Sequence, residues 1–255
     1  MIPLPDAFLT APLAHRGFHD VADGRPENSR AAFEAAIKAG YGIELDVQLS
    51  ADDQAMVFHD YRLTRLTGAS GVVRQFDQSA LQATPLTGGD ETIPSLPEAL
   101  ELVDGRTPLL IEIKDQDGQM GLSVGALEVA TAKALKGYSG AVAVMSFNPN
   151  AVAAFSALAP DLPVGLVTSA YHREDWAYLS DQTRAHLATI PDYDRLGASF
   201  ISHEVEDLAS PRVAEVKKKG GTILCWTVRS PEVETKARKH AQNITFEGYD
   251  AVIPG

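Results

Sequence analysis

Glu44 and Asp46 are separated by one residue and embedded among branched apolar side chains in Gly42-Ile43-Glu44-Leu45-Asp46-Val47-Gln48-Leu49. Two positions apart on an extended chain, their carboxylates project from the same face. A polar turn, Ser50-Ala51-Asp52-Asp53-Gln54, leads into a second arm, Ala55-Met56-Val57-Phe58, which ends in His59-Asp60. With Asp52 and Asp53 at the tip, simple hairpin register sets Asp46 opposite His59, and opposed residues share a face. Two acids and an imidazole then meet in one small volume, an arrangement suited to metal-assisted acid/base chemistry. The competing reading is a strand whose polar face is merely solvated.

A second acid-bearing strand favours the first reading. In Leu109-Leu110-Ile111-Glu112-Ile113-Lys114, alternation puts Ile111 and Ile113 on one face and Leu110, Glu112 and Lys114 on the other. If Ile43, Leu45, Val47, Ile111 and Ile113 pack under helices, three carboxylates and a lysine point into a barrel, where unpaired charge costs several kcal/mol each. A divalent cation on Glu44, Asp46 and Glu112 offsets that cost. All-oxygen ligation suits Mg²⁺ or Ca²⁺ rather than zinc. His15 and His59 both fall where strand tips should lie, and imidazole titrates near neutral pH. Arg16 and Lys114 are the nearest cations and suit an anionic, phosphate-like ligand. Tyr171, His172, Trp176 and Tyr178 form an aromatic patch that fits packing as well as substrate binding.

These groups need a scaffold. Parallel-type strands are readable ending near His15, Asp46, Lys114, Ser146, Thr168, Ser202, Val228 and Glu247, with helical or long connections between them. The arm ending at His59 follows a tight turn and must return antiparallel, so it is an excursion from the second strand. The pattern predicts an α/β fold, a TIM-type (β/α)8 barrel forming one domain over residues 1–255, with a small insertion at about 60–94. An open doubly wound sheet is the alternative, but no Gly-x-Gly-x-x-Gly turn or Walker-type motif is present. Asn28 or Ser29 should cap the next helix, and Gly40 should end it. Ser95-Leu96-Pro97-Glu98 has the form of a capping box. A weaker helical stretch runs around Asp175 to Leu187.

The composition narrows the function classes. A net charge of −12 and a pI near 5.0 argue against nucleic acid or stable association with an anionic membrane. One cysteine, Cys225, excludes an internal disulfide and Cys-based zinc motifs, and its apolar surroundings make it a core residue. No run approaches about 18 apolar residues, and the N-terminus has no basic and apolar leader pattern. A cytoplasmic enzyme acting on a small molecule is expected, in an oligomeric state left open.

Taken together, His15-Arg16-Gly17, Pro26-Glu27-Asn28-Ser29, Glu44-Leu45-Asp46-Val47, Val57-Phe58-His59-Asp60, Glu112-Ile113-Lys114 and Trp226-Thr227-Val228 resemble the glycerophosphodiester phosphodiesterase family in order and spacing. The resemblance implies a TIM barrel with an insertion after the His-Asp pair, and a divalent cation on Glu44, Asp46 and Glu112. It implies His15 and His59 as general acid and base, and Arg16 and Lys114 as phosphate contacts. Glu27 and Asn28 become supporting loop residues, and Trp226 a wall near the glycerol moiety. The implied reaction releases glycerol 3-phosphate and an alcohol. A lysophospholipase D-type activity and a catalytically inactive glycerophosphodiester-binding barrel are the alternatives. Asp53-Gln54 replaces the family's usual Asp-Gly, and Arg229 stands where Asn is usual.

Overall fold

The computed structural model describes residues 2–254. Nine strands follow in chain order: β1 (Leu13–Ala14), β2 (Gly42–Leu49), β3 (Ala55–Val57), β4 (Leu109–Ile113), β5 (Val142–Ser146), β6 (Val164–Thr168), β7 (Phe200–Glu204), β8 (Thr222–Val228) and β9 (Asn243–Phe246). Eight of them form a closed parallel barrel, because β1 pairs with both β2 and β9. Helices lie between successive barrel strands, as the alternating pattern requires. No helix among the described residues is long and apolar enough to cross a membrane.

The two strand faces divide as simple alternation demands. Ile43, Leu45, Val47, Ile111, Ile113 and Cys225 pack outward beneath the helices. Leu110, Ala143, Met145, Val167, Phe200 and Leu224 form a separate interior cluster. Phe8 plugs that interior from below, fully buried, on the short helix Ala7–Thr10. The Asn243 side-chain amide holds the plug by donating to the carbonyls of Phe8 and Ala11, both at 2.7 Å. Gly165 makes room for Phe200: a β-carbon there would sit 2.4 Å from the ring. With one end filled by apolar side chains, the polar positions of β2 and β4 collect at the other.

Local signals set the helix ends. Ser29, rather than Asn28, caps the helix Arg30–Ala39 by accepting from the Ala32 N–H, and Gly40 ends it in the left-handed region. Ser95 and Glu98 form the reciprocal capping box of the helix Leu96–Val103. The weaker stretch contains only Asp181–Leu187 as helix, with Asp175 in the preceding loop.

The β2–β3 hairpin departs from simple register. The pairs are Val47 with Val57, Gln48 with Met56 and Leu49 with Ala55, so Phe58, not His59, lies opposite Asp46. The cause is an odd-numbered loop. The Ser50 N–H donates to the Gln54 carbonyl at 2.9 Å, leaving Ala51, Asp52 and Asp53 as a three-residue connection. Asp53 takes the left-handed conformation, φ 58°, that such loops need at the last position. His59 therefore lies beyond the ladder, where the Gln48 side-chain amide donates to its carbonyl at 3.0 Å.

The chain between β3 and the helix Leu96–Val103 has more order than its composition suggests. It carries the short helices Thr64–Thr67 and Gln78–Gln82 over a private apolar cluster that includes Met56, Phe58, Leu63, Leu81 and Ile93. Arg30 ties it to the barrel through Glu91 and Glu98.

Candidate active site

The strand tips of β1, β2, β4 and β8 and the second residue after β3 bring His15, Arg16, Glu44, Asp46, His59, Glu112, Lys114 and Trp226 around one cavity of about 140 Å³. Glu27 and Asn28 stand behind it. Each of the ten residues expected from sequence is thus in the cavity wall or in contact with it.

The three carboxylates are buried, and one oxygen from each lies within 4.8 Å of the others. Glu44 Oε2 accepts from the Arg16 backbone N–H at 3.0 Å. Asp46 Oδ2 accepts from the Asn28 side-chain amide at 2.9 Å, with Arg16 Nε 3.4 Å away. Lys114 Nζ donates to Glu112 Oε1 at 2.7 Å and lies 2.9 Å from Asp46 Oδ1. Backbone geometry aids both supports: Arg16 and Asn28 each adopt a positive φ, 55° and 57°. The Glu112–Lys114 ion pair thus lies inside the acid cluster.

Charge counting shows what the cluster lacks. Three buried carboxylates face two permanent cations, Arg16 and Lys114, and the Arg16 guanidinium is shared with Glu27 at 2.7 Å. Glu44 bears the excess: burial, then repulsion from Asp46 and Glu112, holds its carboxyl well above the ordinary carboxylate range. Burial would also raise Asp46, but Lys114, His59 and Arg16 outweigh it and keep the group ionised. Asp46 Oδ1 faces the Lys114 ammonium at 2.9 Å. A hard divalent cation would supply the positive charge that the three carboxylates lack and would favour ionised Glu44, so the donor set fits such an ion.

Each histidine is backed by a carboxylate. His15 Nδ1 donates to Glu247 Oε2 at 2.5 Å, which turns Nε2 toward Glu44 Oε2, 3.9 Å away. His59 Nδ1 donates to Asp60 Oδ1 at 2.6 Å. Protonation at Nδ1 in both rings leaves Nε2 as the exchanging nitrogen. Burial dominates at His15 and lowers its pKa to about 4, against the opposing pull of Glu247, so the ring is neutral near pH 7. Arg65 joins the two sides of the site, pairing with Asp60 at 2.7 Å and with Glu27 at 2.8 Å. The chain His59–Asp60–Arg65–Glu27–Arg16 therefore runs unbroken through charge-assisted hydrogen bonds. Trp226 donates from Nε1 to the Ser202 carbonyl at 3.0 Å, which fixes the ring as a wall.

Glu247 and Arg65 were not singled out by sequence reasoning. For Glu247 a usable signal existed: closure pairs Phe246 with Ala14, so the next residue of the last strand must flank His15. Arg65 sits in a four-residue helix whose placement no periodicity announces.

Known proteins share this chain's pattern over nearly its whole length. The sequence profile of the glycerophosphoryl diester phosphodiesterase family matches residues 15–249. The Bacillus subtilis protein YhdW is 32% identical over 250 residues, covering 94% of this chain and 92% of its own. A glycerophosphodiester phosphodiesterase of Caldanaerobacter subterraneus is 30% identical over 254 residues, 96% of each chain. An Oleispira antarctica phosphodiesterase, solved with its product sn-glycerol-3-phosphate, is 25% identical at a TM-score of 0.76, covering 96% of this chain and 95% of that one. By sequence profile, relatives and fold alike, this chain belongs to the glycerophosphoryl diester phosphodiesterase family of hydrolases.

Proposed function

We propose that the protein hydrolyses small glycerophosphodiesters to glycerol 3-phosphate and an alcohol, with one divalent cation, Mg²⁺ or Ca²⁺, held by Glu44, Asp46 and Glu112. The observation that carries this reading is the convergence of three buried carboxylates and two carboxylate-backed histidines on one cavity. The cation, when bound, supplies positive charge to the phosphoryl oxygens as negative charge grows there. Arg16 and Lys114 add fixed charge to the same wall, and Trp226 gives the glycerol carbons an apolar face.

The two histidines take different roles. His15 borders only the inner cavity, whereas His59 also borders a groove that opens outward from it. Neutral at working pH, His15 accepts the proton of the attacking hydroxyl. His59 gives its Nε2 proton to the oxygen of the departing alcohol as the phosphorus–oxygen bond breaks. When the neighbouring glycerol hydroxyl attacks first, a cyclic phosphate forms; water then opens it, giving a proton to His59 while His15 returns its proton to the glycerol oxygen. Overall, one water adds its hydroxyl to phosphorus and its proton to the alcohol. Glu247 and Asp60 hold the rings in the required tautomer, and Asn28 and Glu27 hold Asp46 and Arg16.

The test is release of glycerol 3-phosphate from glycerophosphoethanolamine by wild type and His59→Ala, with and without chelator. Both treatments should abolish release. Turnover that survives both would remove the cation and the histidine from the account.

A further inference from the structure

The outward groove has a volume of about 530 Å³, several times that of the inner cavity, and within the range of sites for whole organic ligands. His59, Glu112, Lys114, Phe147 and Trp226 border both spaces, so the groove begins where the scissile bond should lie. Its far wall is aromatic. Phe147 meets Trp226 edge-on at 5.5 Å and Trp176 at 4.8 Å, and Trp176 continues to Tyr178 at 5.8 Å. Tyr61 and Tyr178 stand at the rim, each about half exposed, 52% and 53%. The contributing loops are tied together: the Tyr61 hydroxyl donates to the Asp115 carbonyl at 2.7 Å, and the Gln119 side-chain amide to the Tyr178 carbonyl at 2.9 Å. A preformed aromatic wall beside the reacting centre has to accommodate the group on the far side of the phosphorus.

The charges around the groove define that group further. Each acid on it is already occupied. Asp60 pairs with His59 and Arg65, and Glu112 with Lys114. Asp115 accepts from the backbone N–H groups of Asp117, Gly118 and Met120 and from the Asn148 amide. One cation is left over: Arg62 is exposed and makes no ion pair with any described residue, whereas Lys114, at the inner edge, is held by Glu112 and Asp46. A cationic head group would meet positive charge and no free carboxylate. A neutral apolar group would meet aromatic faces.

We propose that this groove is the subsite for the departing alcohol and that it selects neutral apolar alcohols, alkyl or aryl, over small hydrophilic or cationic ones. The proposal rests on the hydrolytic reaction assigned above. Full burial of a methylene raises kcat/KM about fourfold. In a half-open groove, five methylenes should give about a thirtyfold gain, half of the full effect on a logarithmic scale.

The experiment measures kcat/KM for glycerol 3-phosphate release from the glycerophospho-esters of methanol, hexanol, benzyl alcohol and choline. It uses the cation-loaded wild type and the Trp176→Ala and Tyr178→Ala variants. The wild-type hexyl-to-methyl ratio should be about thirtyfold, with choline below benzyl alcohol. Both variants should cut the ratio at least threefold, and because each ratio is taken within one preparation, the folded fraction cancels. A wild-type ratio within twofold of one, choline above the benzyl ester, or a ratio unchanged in both variants would overturn the subsite while leaving the hydrolysis standing. No glycerol 3-phosphate from any ester would overturn the hydrolysis and this proposal with it.

Discussion

Replacing Glu247 with Gln keeps the shape of the group behind His15 and removes its charge. The His15 Nδ1–Glu247 Oε2 contact of 2.5 Å is a charge-assisted hydrogen bond inside a mostly buried site. Such bonds contribute roughly 1.5–3 kcal/mol, and their neutral counterparts about 0.5–1.5. The imidazolium that forms when His15 takes a proton feels that difference most. The barrier should therefore rise by about 1–2 kcal/mol, which slows kcat about 5- to 30-fold. Glu247 also raises the His15 pKa, so its loss must move that pKa further down from about 4. The acid limb of the kcat–pH profile, which follows protonation of the base, shifts to lower pH in consequence. Steady-state kinetics of wild type and Glu247→Gln between pH 3 and pH 9 check both effects. A kcat within twofold of wild type at pH 7, or an acid limb moved upward, would refute the assignment of Glu247 as the group that positions His15.

Cation binding should release protons, because burial and acidic neighbours raise the Glu44 carboxyl well above the ordinary carboxylate range and a bound cation would favour its ionised form. Calorimetric titration in buffers of different ionisation enthalpy should show buffer-dependent heats, with up to about one proton released per ion; heats independent of buffer would contradict the charge count. Glu98 should stabilise the fold at neutral pH: burial opposes its ionisation, but the Ser95 N–H, Arg30 and Gln82 overcome this and lower its pKa to about 2. A depressed carboxylate stabilises above its unfolded pKa of 4.5 and loses that contribution as pH falls toward 2. With the side chain 37% exposed, solvent screening reduces the effect to about 1 kcal/mol. Urea unfolding of Glu98→Gln should show that deficit at pH 7 and little of it near pH 2. Asp53→Val puts a β-branched residue where the three-residue connection needs a left-handed backbone, φ 58°, and should destabilise the hairpin by about 1–2 kcal/mol relative to Asp53→Gly in thermal melts; equal melting temperatures for the two variants would contradict the observed loop.

The barrel was legible because β2 alternates from Ile43 to Leu49 and β4 repeats the alternation from Ile111, and burial on both faces makes the inward acids conspicuous. The same alternation brought Glu44, Asp46 and Glu112 together, since neighbouring parallel strands align Asp46 with Glu112. Hairpin register was not legible from the residue types alone. It turns on whether the loop holds two residues or three, and Asp53 can enter the left-handed region where glycine would have announced it. Glu247 lies 232 residues from His15, and only closure of the barrel brings them together. The insertion's helices span four and five residues, too few turns to show periodicity, so their charges, Arg65 among them, looked like loop polarity. The aromatic wall draws Phe147 from just beyond β5, Trp176 from the loop after β6 and Trp226 from β8, a convergence visible only in the folded chain.

The central claim, cation-dependent phosphodiester hydrolysis at Glu44, Asp46 and Glu112, is tested most directly by phosphorus NMR. Glycerophosphoethanolamine is followed while Mg²⁺ or Ca²⁺ is titrated into metal-free wild type and into Glu112→Gln. The expected result is conversion of the diester resonance to that of glycerol 3-phosphate, at a rate that saturates with one ion per wild-type chain. In Glu112→Gln the conversion should be absent or need far more metal. A diester signal that persists at every metal concentration in wild type, or that disappears equally fast in the presence of chelator, would contradict the account.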